Sequence, residues 1–594
     1  MHHPKSRKFP ILTDYQRCFE YNEMKVTQAS FAATIVDARN RFIKEELFMN
    51  QTIVLGNIIT MDEKRPTAKA ALVKDGKFAY IGEAADVKKL ADADAKVLDY
   101  GENFIYPGFL ESHTHGTLAG YRAIGQADLS KVVPTDYDKY REILKEYIAK
   151  NPEKDIFLAA GWNENDQYVT KEYLDEICSD KPLIMNSSGG HSILCNTKAL
   201  EYAGFDKACA EKYGPALIHV DENGEPDGYV CENPAIELFN RIPIAFEDAK
   251  KYLLAWQDIA LENGYVGVAD AGADLFFKDA SKAYHELEEE GKLKMRTYSY
   301  IMVQDNTDDP EGDIAKIAAE RAKYNGEYYY IVGAKSFLDG VVEARTSWQI
   351  GDYADEPGYT GVERFNDHDK MVRVITAADK EGLSVHVHSF GDGATKFMLD
   401  CIEDAEKVTG DLNQMNVLAH LYLTKKEDIR RMAETGSVPA VAPLWTMKGG
   451  AGVDFNSEVK FVGEELANQA YPIKSFYDVG ANVTFHSDFP VSPVFSSILS
   501  VYTAELRRFP KGNINGDEAR GNTDEAITRE QALRAMTINV ARTWHQEHRL
   551  GSIEFDKLAN MTVVDCDLLH DDIEKVGQAK VVATIVDGEE VYKA

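Results

Sequence analysis

The sequence predicts an α/β fold: a (β/α)8 TIM barrel with a large insertion after its first strand, and a small β-sandwich domain built from both chain ends. Three observations carry this. Short apolar strands alternate with helical stretches through the middle of the 594 residues. β-rich segments punctuated by Asp-Gly turns stand at both flanks. The interval between the first and fourth barrel strands is far longer than three βα units require.

In chain order, residues 1–47 read as a mildly basic extension, with eight Lys/Arg against six Asp/Glu. The stretches QTIVLGNIITM, KAALVKDGKFAYIG and AKVLDYG then read as strands, as do NMTVVDCDLL and KVVATIVDGEEVYK near the other end. Residues 48–102 and 549–594 are therefore expected to form the β-sandwich, and 103–548 the barrel. Ten segments between them are strand candidates: 103–109, 156–161, 182–187, 265–271, 294–303, 330–337, 383–389, 416–421, 437–443 and 482–487. Three βα units should consume only about 105 residues. The surplus assigns about 120–260 to an inserted subdomain, removes 156–161 and 182–187, and leaves eight strands. Such an insertion leaves the barrel at its catalytic end and is expected to cover the mouth.

Composition narrows the class. Lys+Arg 66 against Asp+Glu 98 gives a net charge of −32, with 44% hydrophobic and 28% charged residues. That is enough apolar material for a sizeable core, and the acid excess argues against nucleic acid or an anionic membrane as partner. Seven cysteines, an odd number with no CxxC pair, read as reduced thiols in a cytoplasmic protein. No stretch approaches the roughly 18 apolar residues of a membrane span. A small-molecule substrate is expected, and a homodimer is compatible with the sequence.

The chemistry concentrates at strand ends. YPGFLESHTHG places His113 and His115 at the end of an apolar strand, where alternate residues share a face. An isolated HxH is more often structural than ligating. Here, however, GLSVHVHSFGDGAT adds His386 and His388, NVLAHLYL adds His420, and ANVTFHSDFPVSP adds Asp488, each at another strand end. Four strand ends presenting histidine or aspartate to one mouth point to a metal site. His386 lies two residues deeper than His388 and reads as filling the barrel or standing behind the ligands; His486 precedes Asp488 on the same face and reads as core or substrate lining. Asp392, in the FGDG turn, is expected to accept a hydrogen bond from a ligand histidine. Trp162, Tyr229, Trp348 and Trp445 are candidates to line a substrate pocket, an aromatic roof that would favour an apolar substituent.

PGF-x-[DE]-S-H-T-H, a strand-borne lysine, two later histidines and a final Ser-Asp resemble the amidohydrolase superfamily. GWNENDQY, GGHSILCNTKAL, VADAG, KSFLDGVVEARTS, HSFGDGAT, VAPLW and SDFPVSP resemble its branch (amidohydrolase family 3) that contains N-substituted formamide deformylase, over about residues 50–594. Some members of that branch carry an exoenzyme-regulatory description. The sequence departs at Glu111, where aspartate is usual, and at Asn560.

The resemblance implies a metal-ligand set of His113, His115, Lys335, His388, His420 and Asp488, with Lys335 carbamylated and bridging two divalent cations, zinc being expected. It implies hydrolysis of a C–N amide-type bond, as in an N-substituted formamide, by metal-activated hydroxide. Asp488 would be general base and then acid, with His191 at the oxyanion. Two alternatives remain open: a mononuclear deaminase of the same superfamily, and a non-catalytic regulatory homologue.

Overall fold

The computed structural model describes residues 51–594 except 130, 131, 133–135, 163–168, 188–191, 216, 240, 343, 449–454, 493 and 514–516. The extension 1–47 and His191 thus lie outside the described residues. Eight parallel strands form the central sheet: β1 Phe109–Thr114, β2 Tyr265–Ala271, β3 Arg296–Met302, β4 Tyr329–Phe337, β5 Ser384–Ser389, β6 Val417–His420, β7 Val438–Val441 and β8 Thr484–Phe485, each hydrogen-bonded to the next. Helices follow the strands, among them Phe246–Glu262 after β1, Ala280–Glu289 after β2, Pro310–Tyr324 after β3, His368–Lys380 after β4 and Asp392–Thr409 after β5. Outward strand residues such as Val385, Val387 and Ile331 share one core with inward helix residues such as Met371, Ile375 and Met398. Asp309 and Asp367 cap the helices that follow β3 and β4 by accepting from backbone N–H groups in the first turn, satisfying donors that a helix start leaves free.

The expected first strand, 103–109, is corrected. Residues Lys96–Pro107 belong to the flanking sheet, and the barrel begins at Phe109. Gly108 separates the two: a Cβ there would lie 2.4 Å from a methyl of Val266, so only glycine lets the chain cross this closely. One strand therefore carries both His113 and the start of the barrel.

Ladder pairing runs from β1 to β8 without joining them. Individual hydrogen bonds close that seam. Ser112 Oγ donates to the Phe485 carbonyl at 2.6 Å, the Asp488 N–H to the His113 carbonyl at 3.2 Å, and the His115 N–H to the Phe489 carbonyl at 2.9 Å. The Glu111 carboxyl, from the first strand, accepts from the Ser487 N–H at 3.0 Å.

Two further sheets accompany the barrel. Seven strands from both flanks of the chain form one, in the order Glu589–Lys593, Val581–Val586, Met561–Val564, Lys96–Pro107, Gln51–Ile59, Thr67–Lys74, Lys77–Gly82. Thr562 and Thr584 Oγ1 donate to the carbonyls of Gly264 and Leu261, tying this sheet to the barrel beside β2. Six strands between Ala127 and Cys231 form the other, so Phe157–Trp162 and Leu183–Ser187 lie outside the barrel. Phe246–Glu262, within the expected 120–260 insertion, packs Trp256 and Leu261 into the core shared with β2. No helix among the described residues is long and apolar enough to cross a membrane.

Glu111 is the buried charge that this closure creates. Burial pushes its carboxyl up to about 8, against the lowering effect of the N–H groups of His113 and Ser487 and the Tyr265 hydroxyl. A folded-state pKa above the unfolded 4.5 means that the protonated form stabilises the fold; that contribution is whole below about 4.5 and is lost as pH rises through about 8. In the metal-free protein, Glu111→Gln should flatten this part of the stability–pH profile. Urea midpoints between these two pH values check it; a profile with the wild-type slope would show that Glu111 does not titrate in this range.

Candidate metal centre

The strands place the histidines by simple alternation. In β5, His386 and His388 face inward while Val385 and Val387 join the outer core. His388 lies beside Phe337 of β4 in register, and Lys335 beside His386. His420 ends β6 with φ 82°, Leu421 follows at 51°, and Asp488 after β8 has φ 58°. These are left-handed conformations that non-glycine residues adopt at a cost of order 1–3 kcal/mol, and such outliers cluster at functional sites.

His113 Nε2 and His115 Nε2 lie 3.0 and 3.3 Å from the same Asp488 oxygen. The three side chains are buried, and their ligand atoms lie within 4.8 Å of one another. Around them, the His388 and His420 rings stand 4.5 Å apart and His113 and His420 4.9 Å. The structure thus brings together five of the six expected ligands directly. Lys335, fully buried in β4, is coupled to the same group through the fields it exerts on His113 and His386.

Burial lowers the pKa of His113 and His386 well below the ordinary histidine value, and the charge of Lys335 lowers both further. Burial does the same to His420, aided by His388, and lowers His486 to about 4. Neutral imidazoles are the form that binds a cation. Burial also lowers Lys335 to about 7, against the pull of Asp488. Asp488 differs: burial opposes its ionisation, yet the hydrogen bond from His115 and the field of His420 hold it below the usual carboxylate value.

Unpartnered atoms test whether a metal fits. His115 Nδ1, Lys335 Nζ, His420 Nδ1 and both nitrogens of His486 are buried without a hydrogen-bond partner. Each such atom costs about 1–3 kcal/mol unless something completes it. Imidazole nitrogens and a carboxylate are the donor set of a divalent site, and a cation would satisfy several of these atoms together. The residues fit.

Hydrogen bonds behind the ligands set their orientation. His113 Nδ1 lies 2.8 Å from His386 Nε2, so of the two places expected for His386 it takes the one behind the ligands and holds a ligand ring. His388 Nδ1 lies 3.0 Å from Asp339 Oδ1. Asp339 also accepts from the N–H groups of Phe390, Gly391 and Trp348. This corrects the role expected of Asp392, which instead accepts from the Ile350 N–H and pairs with Lys425 at 3.1 Å. Asp339 stands in the quoted KSFLDG motif, two residues beyond Phe337, and that position after a strand end was the available signal. Asp270 of β2, also unassigned from sequence, accepts from the Gly116 N–H at 3.0 Å and from the Tyr284 hydroxyl at 3.0 Å, fixing the chain just after His115.

The aromatic candidates separate. Trp445 stacks on His420 at 5.4 Å and 19°. Trp348 packs against Phe397 at 5.4 Å and holds its backbone on Asp339. Trp162 and Tyr229 meet at 6.1 Å within the core of the inserted sheet, among Leu129, Tyr140 and Leu194, a core with no barrel residue.

Asp339→Asn keeps the size of the side chain but cannot accept all four hydrogen bonds. It should weaken metal affinity about 10–100-fold, the usual effect of losing a ligand's outer partner. Competition with a chelator measures it, and wild-type affinity in the variant would show that His388 needs no such support.

Comparisons with known proteins place the chain among relatives along most of its length. The chain is 26% identical over 550 residues to the protein LONG AFTER FAR-RED 3 of Arabidopsis thaliana, covering 90% of each. It is 26% identical over 553 residues to N-substituted formamide deformylase of Arthrobacter pascens, covering 90% of this chain and 97% of the relative. The fold matches the crystal structure of an uncharacterized metal-dependent hydrolase from Pyrococcus furiosus with a TM-score of 0.70 at 24% identity, over 88% of this chain and all of the other. The profile of the Amidohydrolase family matches residues 96–592. A profile match over this much of the chain shows the family: the chain belongs to the amidohydrolase family.

Proposed function

We propose that this protein hydrolyses a C–N amide-type bond of a small molecule, an N-substituted formamide or related amide. The observation that carries the reading is the convergence of His113 and His115 on one Asp488 oxygen beside a fully buried, unpartnered Lys335. His113, His115 and Asp488 would hold one cation and His388 and His420 a second, with zinc the natural occupant of such a donor set. Cations bound there would polarise a substrate carbonyl and lower the pKa of water to about 7.

Lys335 supplies what a two-cation site needs between its halves. An ammonium repels cations, whereas a lysine lowered to about 7 offers a large neutral fraction at neutral pH. Its neutral Nζ could add to CO2 and release a proton, and the resulting carbamate would supply two anionic oxygens to cations held by the neighbouring histidines and Asp488. The single-cation deaminase has no use for this lysine, and so ranks second.

Asp488 carries the proton. Held ionised by its histidine neighbours, it can take a proton from the attacking water and return it to the departing amine. His115 fixes its position, and the N–H donated to the His113 carbonyl fixes its backbone. The barrel walls and Trp445 keep bulk water from the histidines, which strengthens each charge interaction inside.

Two outcomes test the reading. Asp488→Asn should leave the fold intact and cut kcat by about 10²–10⁴-fold, the usual share of general acid–base catalysis. Steady-state rates on an amide panel at saturating metal measure it, and near-normal turnover would remove Asp488 from proton transfer. Lys335→Ala should lose at least one metal per chain, and bicarbonate should speed reconstitution of the wild-type apoprotein but not of the variant. Metal analysis and intact mass decide this. An unmodified lysine in a fully metallated, active enzyme would overturn the bridge.

A further inference from the structure

Twelve large apolar side chains are exposed among the described residues, and their distribution is uneven. Ile124, Leu275, Phe276 and Val491 come from the loops that follow β1, β2 and β8, three neighbouring strands, at the end of the barrel that carries the ligands. The ring of Phe276 meets the edge of His115 at 6.1 Å, yet the residue remains 41% exposed. The Val491 N–H donates to the Asp488 carbonyl at 2.8 Å, placing this exposed valine one turn from the carboxylate. Arg122 donates to the Pro490 carbonyl at 2.6 Å and so ties the loop of Ile124 to that of Val491.

The Leu275–Phe276 turn is itself positioned. Gly272 has φ +87°, and a Cβ built on it would stand 3.5 Å from Leu275 Cβ and 3.7 Å from Lys335 Cγ. The backbone is pinned on the β3 side, where the Gly272 N–H donates to the Tyr300 carbonyl and Asp274 accepts from the Met302 N–H. A left-handed glycine thus turns two apolar residues beside the lysine and His115, where neither is buried by the protein. An exposed apolar surface continuous with a polar reaction centre marks the place where the apolar part of a ligand is covered.

We infer that Leu275, Phe276 and Val491 form the wall that recognises an apolar substituent on the substrate nitrogen. This rests on the hydrolase reading above and adds its specificity. The side is set by Asp488: the carboxylate that returns a proton to the departing amine faces that nitrogen, and the exposed Val491 is held one turn further along the chain by its N–H on the Asp488 carbonyl. The wall takes over the role that sequence patterning gave to Trp162 and Tyr229.

Non-hydrolysed chelating probes read the wall without turnover. The affinities of the metal-loaded enzyme for N-methyl-N-hydroxyformamide and N-cyclohexyl-N-hydroxyformamide are measured by calorimetry. The wild type should prefer the cyclohexyl probe by about tenfold or more, the equivalent of 1.4 kcal/mol. Phe276→Ala combined with Leu275→Ser should abolish the preference, with the cyclohexyl probe losing the greater part of its affinity; both residues are exposed, and an unchanged urea midpoint shows the fold kept. A preference retained in the variant, or absent from the wild type, overturns the wall. Failure of both probes to bind the metal-loaded protein overturns the hydrolase reading with it. Turnover of N-methyl but not N-cyclohexyl formamide would overturn the wall alone.

Discussion

The hydrogen-bonded seam between the first and last barrel strands is the constraint on which the site depends. Ladder pairing does not join β1 to β8, so the relative height of these strands is set by a few bonds from Glu111, Ser112, His113 and His115. Shift that register by one residue and the bonds that hold the Asp488 and Phe489 backbone against His113 and His115 would be lost, and with them the approach of the carboxylate to both imidazoles. Glu111 sits under this contact as a carboxyl too buried to ionise readily, bonded to the backbone of one ligand and to the residue preceding another. A longer side chain where aspartate is usual thus bonds to the backbone on either side of the ligand set.

Electrostatics explains why the cluster is built of groups that lose charge easily. Several cationic imidazoles and an ammonium confined together would repel by several kcal/mol even at an effective dielectric near 20. Burial resolves this by driving His113, His386, His420, His486 and Lys335 towards neutrality while leaving Asp488 ionised. The result is an electron-rich, proton-poor cavity with one fixed negative charge. A cation completes it more naturally than water does, since water cannot satisfy so many acceptors at once.

Much of this was legible in the sequence, for identifiable reasons. Strand alternation and strand-end position suffice to find His113, His115, His388, His420 and Asp488, because a barrel directs all strand ends to one mouth. The insertion followed from length alone. What escaped was set by contacts between distant segments. Asp339 and Asp392 are both acidic residues near strand ends, and only the fold shows which one reaches His388. Trp162 and Trp445 look alike as isolated aromatics, but one packs inside the inserted sheet and the other stacks on a ligand. The first strand was misplaced because two strands of different sheets are separated only by Gly108, a break with no polar turn to mark it.

The long strand Lys96–Pro107 has one partner close in sequence, Gln51–Ile59, and another, Met561–Val564, more than four hundred positions later. During synthesis, its far edge is therefore left open, with unpaired N–H and C=O groups, while almost the whole barrel is made. The same delay applies to the metal cluster, which lacks its carboxylate until the eighth strand emerges. The flanking sheet is thus completed only after the barrel strands have been made, and until then the place of Met561–Val564 along Lys96–Pro107 is an open β-edge.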